Sequence, residues 1–205
     1  MRSLMIVLCL FSSLWASAGD EALYGKPPPP DAVFFRVLNL SGELLEVKLQ
    51  DKVLINLEHQ AVSPYGFASA GKVNIALNDM ALNLSGPAKS QYTLVYSSDD
   101  TAPIQIQESL FDNKRQARLA LYNLSSMPHV SLKSLDGKHN IIDGVEPQDI
   151  KTRDVRAIKI ATSVFSAEQN IAQTESLKLA RDKVTSIFVL GDAESASLVV
   201  TQAEQ

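Results

Sequence analysis

The sequence predicts an all-β protein built as two tandem antiparallel β-sandwich domains. Three observations carry that prediction. Apolar residues alternate with polar ones in short runs, the period-two pattern of half-buried strands rather than the roughly 3.6-residue period of helices. Val, Ile, Leu, Phe and Tyr dominate those runs, which Gly, Pro, Asn, Asp and Ser bound, and such residues fit a pleated surface better than a helix. A pattern also recurs, because Val37-Leu38-Asn39-Leu40-Ser41 returns 84 residues later as Leu121-Tyr122-Asn123-Leu124-Ser125, the mark of a duplicated unit. No strand–helix–strand rhythm intervenes, which favours sandwiches or barrels over a parallel sheet.

In the first half the expected strands are Phe34–Leu38, Leu44–Leu49, Val53–Leu57, Val73–Leu77, Ala81–Leu84 and Gln91–Tyr96. In the second they are Ala117–Tyr122, Val130–Ser134, Asn140–Asp143, Val155–Thr162, Ser176–Leu179 and Ser186–Val189, with Ser197–Thr201 as a further one. Lys72–Leu77 finds its counterpart near Ala157–Thr162, and Leu82-Asn83-Leu84 finds one in Leu177-Lys178-Leu179. The spacing between halves widens along the chain, which places an insertion between Ser163 and Thr174. The expected division is a signal peptide over 1–18, a Pro-rich arm over 19–30, a first sandwich over 31–102, a linker over 103–114 and a second sandwich over 115–205. A sandwich of roughly 70–90 residues is large enough to bury a core without disulfides.

The start of the chain carries Arg2, an apolar run from Leu4 to Leu14 and the small-residue sequence Ala16-Ser17-Ala18, which together read as a secretory signal with the mature chain starting at Gly19. The apolar run is shorter than the roughly 20 residues of a membrane-spanning helix. Cys9 follows Leu8 inside that run, not after it, which argues against a lipid anchor. It is the only cysteine, so the mature chain is expected to have neither disulfide nor thiol chemistry. Past the signal, Tyr24 precedes Pro27, Pro28, Pro29 and Pro30. Four successive prolines favour an extended polyproline II arm, and an aromatic beside a stiff segment is a common contact element. Tyr24 and Pro27 to Pro30 are therefore the expected interaction residues, with a plain spacer as the alternative.

Charge and motif content exclude several function classes. Without Arg2 the 19 basic side chains become 18, against 23 acidic ones, for a net charge of −5, which argues against nucleic acid as a partner. Phosphate-binding glycine loops and dinucleotide fingerprints are absent, so no cofactor is expected. Three histidines, His59, His129 and His139, lack cysteine or histidine neighbours at ligand spacing, so no metal is expected. Asp136-Gly137-Lys138-His139 has the Asp-x-x-His spacing of SGNH-type hydrolases and acetyltransferases, but a Gly-Asp-Ser nucleophile block is missing and Gly191-Asp192-Ala193 is its nearest approach. Asp136-Gly137 between two apolar-patterned runs is a hairpin signal in its own right. Lys151, Arg153, Arg156 and Lys159 form the densest basic stretch, read as a solvated strand face in preference to a polyanion strip. Asn39, Asn83 and Asn123 each begin Asn-Leu-Ser, read as strand-end turns.

Ala22-Leu23-Tyr24-Gly25, Phe35-Arg36-Val37 followed by Asn39, Tyr92-Thr93-Leu94-Val95, and the stretch from Phe111 to Ala117 leading to Tyr122-Asn123-Leu124-Ser125 resemble AlgF-type proteins in order and spacing over nearly the whole mature chain. The resemblance implies two tandem β-sandwiches and a periplasmic role in O-acetylation of alginate. It also implies partners: a membrane-bound O-acyltransferase that supplies acetyl groups, and SGNH-like periplasmic acetyltransferases that carry the catalytic triads, while the AlgF-like member has none. Lys26 after Gly25, and Arg181-Asp182-Lys183 where a glycine is usual, depart from the family pattern and keep cellulose open as the polymer. The expected function is a non-catalytic adaptor, with a carbohydrate-binding module or an acetyl-carrying transferase using a serine near His139 as alternatives. The mature chain lacks tryptophan, since Trp15 lies in the signal, which disfavours the carbohydrate-binding alternative.

Overall fold

A computed structural model describes residues 28–98 and 100–204. Among the described residues there are eighteen strands and no helix. The first half holds β1 (Ala32–Asn39), β2 (Leu45–Leu49), β3 (Lys52–Leu57), β4 (Gly66–Ser69), β5 (Gly71–Leu77), β6 (Met80–Gly86), β7 (Gln91–Tyr96) and β8 (Ile104–Glu108). The second holds β9 (Ala117–Asn123), β10 (Val130–Ser134), β11 (Asn140–Val145), β12 (Asp149–Val155), β13 (Lys159–Ile160), β14 (Thr162–Ser166), β15 (Gln169–Gln173), β16 (Leu177–Lys178), β17 (Lys183–Leu190) and β18 (Ser197–Glu204).

The duplication is complete at the level of topology. An inner sheet ordered β4-β1-β7-β8 and an outer sheet ordered β3-β2-β5-β6 form the first sandwich. The second repeats them as β12-β9-β17-β18 and β11-β10-β14-β15. Strand pairing is antiparallel except at the centre of each inner sheet, where β1 runs parallel to β7 and β9 parallel to β17. A parallel pair needs a long crossover, and the intervening strands of each repeat supply it.

The four sheets stack as layers. Val33, Phe35 and Val37 of β1 point into the first core with Leu45, Val47, Ile75 and Leu84, while Leu119 and Leu121 of β9 point into the second with Leu132 and Val164. The opposite faces of the two inner sheets pack on each other, with Leu38, Val95 and Ile106 against Tyr122, Val184 and Phe188. The central strands are thus covered on both sides, which is why β1, β7, β9 and β17 are nearly continuous buried runs and lose the period-two pattern.

Several sequence expectations change here. Ile104–Glu108, inside the expected linker, is the edge strand β8 paired with β7, so the connector between sandwiches shortens to residues 109–116. The expected strand Val155–Thr162 breaks at Arg156–Ile158, because the chain there crosses from the inner to the outer sheet. The counterpart of β5–β6 is the hairpin β14–β15, as its pairing with β10 requires. The extra material is the small ribbon β13–β16, split around that hairpin and not inserted within it. Asp182 adopts φ +61 and its counterpart Lys89 φ +65, so aspartate takes the left-handed position for which glycine is the commoner choice.

The repeated Asn-Leu-Ser motif has a structural origin. Asn39 and Asn123 are both fully buried at the ends of β1 and β9. The Asn39 carboxamide donates to the carbonyls of Glu43 (2.8 Å) and Leu57 (2.9 Å) and accepts from the amide and hydroxyl of Ser41. Asn123 does the same with Met127 (3.0 Å), Val145 (3.1 Å) and Ser125. Asn83, by contrast, is exposed in the middle of β6, opposite Asn74, so that copy is no turn.

Candidate functional site at the joint between the sandwiches

Arg36 interrupts the apolar run of β1 and points into the joint, where it is 0% exposed. Its Nε donates to Thr93 Oγ1 (2.8 Å), and its Nη2 donates across the joint to Tyr122 OH (2.7 Å) and Ser186 Oγ (2.9 Å). Nη2 also lies 3.5 Å from Glu108 Oε1 in a buried ion pair. Glu108 accepts further bonds from Thr93 Oγ1, from Tyr65 OH (2.6 Å) and from Gln91 Nε2 (3.1 Å). Aromatic faces complete the enclosure, since the guanidinium carbon lies 4.7 Å from the Tyr65 ring centroid, 5.4 Å from that of Phe188 and 5.6 Å from that of Tyr122. The Tyr122 and Phe188 rings are themselves stacked at 4.3 Å. Among the described residues, Nη1 of Arg36 and Oε1 of Gln91 are buried without a protein partner.

The duplication explains why this cluster is asymmetric. With Asn39 aligned to Asn123, Arg36 occupies the place of Ala120, Leu38 that of Tyr122, Thr93 that of Ser186 and Val95 that of Phe188. The two copies of one face therefore mate with bulk redistributed: Arg36 with Leu38, Thr93 and Val95 on one side, against Tyr122 and Phe188 with the small Ala120 and Ser186 on the other. Burial lowers the proton affinity of Arg36, but Tyr122 and Glu108 beside it outweigh that and hold its pKa above the ordinary arginine value. Burial also pushes the Tyr65 and Tyr122 phenols up, against the opposing pull of Arg36. Every charge here is matched within the cluster, so its chemistry is that of a lock between the sandwiches. Beside it, a cleft of about 500 Å³ opens between the segment Val62–Tyr65 and the strands β17 and β18, lined by Lys183, Thr201 and Gln202.

Residues 6–186 match the family model described as "Alginate O-acetyl transferase AlgF". The chain belongs to the AlgF family. It is 30% identical to the "Alginate biosynthesis protein AlgF" of Azotobacter vinelandii over 89% of this chain and 83% of that protein. The protein of the same name from Pseudomonas aeruginosa is 28% identical over 92% of this chain and 87% of its own length. Among solved structures, the C-terminal domain of AlgF from P. aeruginosa aligns with a TM-score of 0.40 and 26% identity, covering 43% of this chain and 99% of that one.

In this AlgF-family chain the residues singled out by sequence are dispersed. Tyr24 and Pro27 lie outside the described residues, as does the expected signal over 1–18. Pro28 and Pro30 are exposed, and the Pro29 carbonyl accepts from the Ala32 amide (2.9 Å), so the proline run ends in a tight turn instead of extending into β1. Asp136-Gly137-Lys138-His139 is the hairpin turn between β10 and β11, with Gly137 at φ +73. There Asp136 accepts from Ser134 Oγ (2.6 Å), which holds its carboxyl below the usual range, and Ser134 Oγ in turn accepts the His139 backbone amide (3.0 Å). His59 Nδ1 is 2.6 Å from the Ser41 carbonyl oxygen. Asp192 accepts from the amides of Glu194 and Ser195 and from the Ser195 hydroxyl in the β17–β18 loop. Among the described residues no group of histidine, cysteine, aspartate or glutamate could hold a metal ion.

Sequence reasoning missed the joint, and one signal was available: a lone arginine within the unbroken apolar run Val33 to Leu38. Of the basic stretch, Lys151 and Arg153 bond to protein carbonyls, while Arg156 and Lys159 are exposed. Lys151 donates to the carbonyls of Asp143 (3.0 Å) and Gly144 (2.7 Å), and Arg153 to those of Asn140 (3.0 Å) and Ile141 (2.9 Å), so both tie β12 to the edge of β11.

Proposed function

We propose that this chain is a non-catalytic adaptor in the O-acetylation of an exopolysaccharide, alginate in the first instance and cellulose as the alternative. It works in the periplasm, linking a membrane-bound O-acyltransferase that supplies acetyl groups to SGNH-like acetyltransferases that transfer them. The names carried by the family model and the curated relatives support the pathway. The observation that supports the non-catalytic half is how the polar groups are used. Asp136 engages Ser134 and not His139, His59 faces a backbone carbonyl, and the buried hydroxyl of Ser186 serves Arg36. A serine nucleophile of the acetyl-transfer kind needs a positioned histidine base, and in these pairings no hydroxyl meets a histidine ring nitrogen. Two sandwiches locked through a buried ionic joint suit a rigid spacer that presents several sheet edges, and Tyr24 with Pro27 to Pro30 extends the surface available to partners.

The test is genetic complementation. A strain lacking this gene receives the wild-type chain, the triple variant His59→Ala/His129→Ala/His139→Ala, or a chain lacking Asp20–Pro30 with its export signal kept. Polymer acetyl content and partner co-purification are measured together. Wild-type acetylation by the triple variant is the expected result, and its loss in a folded protein would favour the transferase reading. Loss of both partner capture and acetylation in the arm deletion is expected. Undiminished acetylation would make the arm a spacer.

A further inference from the structure

The two sandwiches differ at one seam. In the second, β11 and β12 are the edges of the outer and inner sheets, and Lys151 and Arg153 bridge them by donating to β11 carbonyls. In the first, the equivalent edges are β3 and β4. Gly66 pairs with Phe35 where Arg153 pairs with Leu119. Ser63 and Pro64 lie opposite Val37 where Lys151 pairs with Leu121. No long side chain is available at either place, and the seam stays open as a recess of about 190 Å³ that reaches the buried core residues Phe35 and Val47. Its rim is apolar, with Val53 51% and Leu54 48% exposed on the free edge of β3.

We infer that the chain's own N-terminal arm occupies this seam, with Leu23 and Tyr24 seated in the recess between β3 and β4. The path of the chain points there. The turn closed by the Pro29 carbonyl and the Ala32 amide leaves Pro29 beside the head of β1, so the reach of the arm is measured from there along the course of β1. From Ala32 to Phe35 that course is about 10 Å. The recess is displaced sideways by β4 and the gap beyond it, about another 10 Å. Tyr24 is five residue steps from Pro29, which in the extended form that prolines favour is about 15 Å and matches the diagonal. The composition fits as well. Leu23 and Tyr24 offer apolar bulk for the recess, and Gly25 and Lys26 carry backbone amides that could serve the edge of β3, to which no basic side chain among the described residues donates as Lys151 and Arg153 do to β11.

The inference concerns the free chain and does not depend on which partner an adaptor meets. It is tested by amide hydrogen exchange on the mature protein, on a chain lacking Asp20–Lys26, and on the double variant Leu23→Ser/Tyr24→Ser. Protection within Lys52–Leu57 and Gly66–Ser69 is expected to fall about tenfold in both altered chains, with Asn140–Val145 and Asp149–Val155 unchanged. A synthetic peptide of residues 19–31 added to the truncated chain is expected to restore it. Equal protection with and without the arm would overturn the inference. So would protection in the full chain that rises with protein concentration, since the occupant would then be a second copy.

Discussion

Removing the carboxylate of Glu108 is the sharpest perturbation of the joint. Glu108→Ala leaves the guanidinium of Arg36 fully buried with its counter-ion gone, and it strips an acceptor from Tyr65, Gln91 and Thr93. Breaking a buried pair by deleting one partner costs about 3–5 kcal/mol. With a urea dependence of about 2–3 kcal/mol per molar for a chain of this size, the unfolding midpoint should fall by roughly 1–2 M. Replacing both partners, Arg36→Met with Glu108→Met, removes the charges together and is expected to cost far less than either charge deletion, because apolar residues of similar volume commonly substitute for a buried pair without loss. The assay is urea unfolding followed by tyrosine fluorescence and far-ultraviolet circular dichroism. Tyr92 and Tyr96 report on the first sandwich and Tyr65 and Tyr122 on the joint, and the wild type is expected to unfold in one transition. A midpoint shift below about 0.3 M for Glu108→Ala, or a double variant as unstable as the worse single one, would refute the reading of this cluster as a coupled ionic lock.

Other consequences follow from the same geometry. Asn39→Ala and Asn123→Ala each orphan buried backbone groups and should destabilise by about 2–4 kcal/mol, whereas exposed Asn83→Ala should leave thermal melting nearly unchanged. A protease that cuts residues 109–116 is expected to leave the two halves co-eluting in gel filtration until denaturant separates them, since the joint is a buried core and not a free linker. Tyr65 and Tyr122 have folded pKa values raised above the ordinary 10.0, so the stability they contribute is complete below that pH and is lost as pH rises above it. Alkaline titration at constant urea should show an unfolding midpoint that declines above about pH 10 in the wild type and less steeply in Tyr65→Phe.

The order of the chain already contained the class of fold, the duplication and most strands, because half-buried strands must alternate and the repeated Asn-Leu-Ser anchors recur at strand ends. Edge strands were harder to read. The strand β12, with Asp149, Lys151, Arg153 and Asp154 along it, has little apolar alternation to detect, since an edge strand is held by backbone pairing on one side and by its own long side chains on the other. Where the chain passes between sheets, as at Arg156–Ile158, a continuous polar and apolar pattern hides a break that only layer geometry imposes.

The sequence by itself determined which residues fill the core of each sandwich; tertiary structure decided what the two sandwiches do to each other, including which of their outer faces are buried. Arg36, Thr93, Tyr122 and Ser186 are separated by up to 150 positions, and the apolar run around Arg36 marks that arginine as unusual without naming the groups that would meet it. Its meaning depends on the outer face of one duplicated sheet meeting the outer face of the other, so that a charge which would face water in a single sandwich is desolvated and must find its counter-ion in Glu108. The same dependence holds at the open seam. Pro64 and Gly66 are unremarkable as residues, and they mark a recess only because their counterparts in the second copy carry the long side chains that close it.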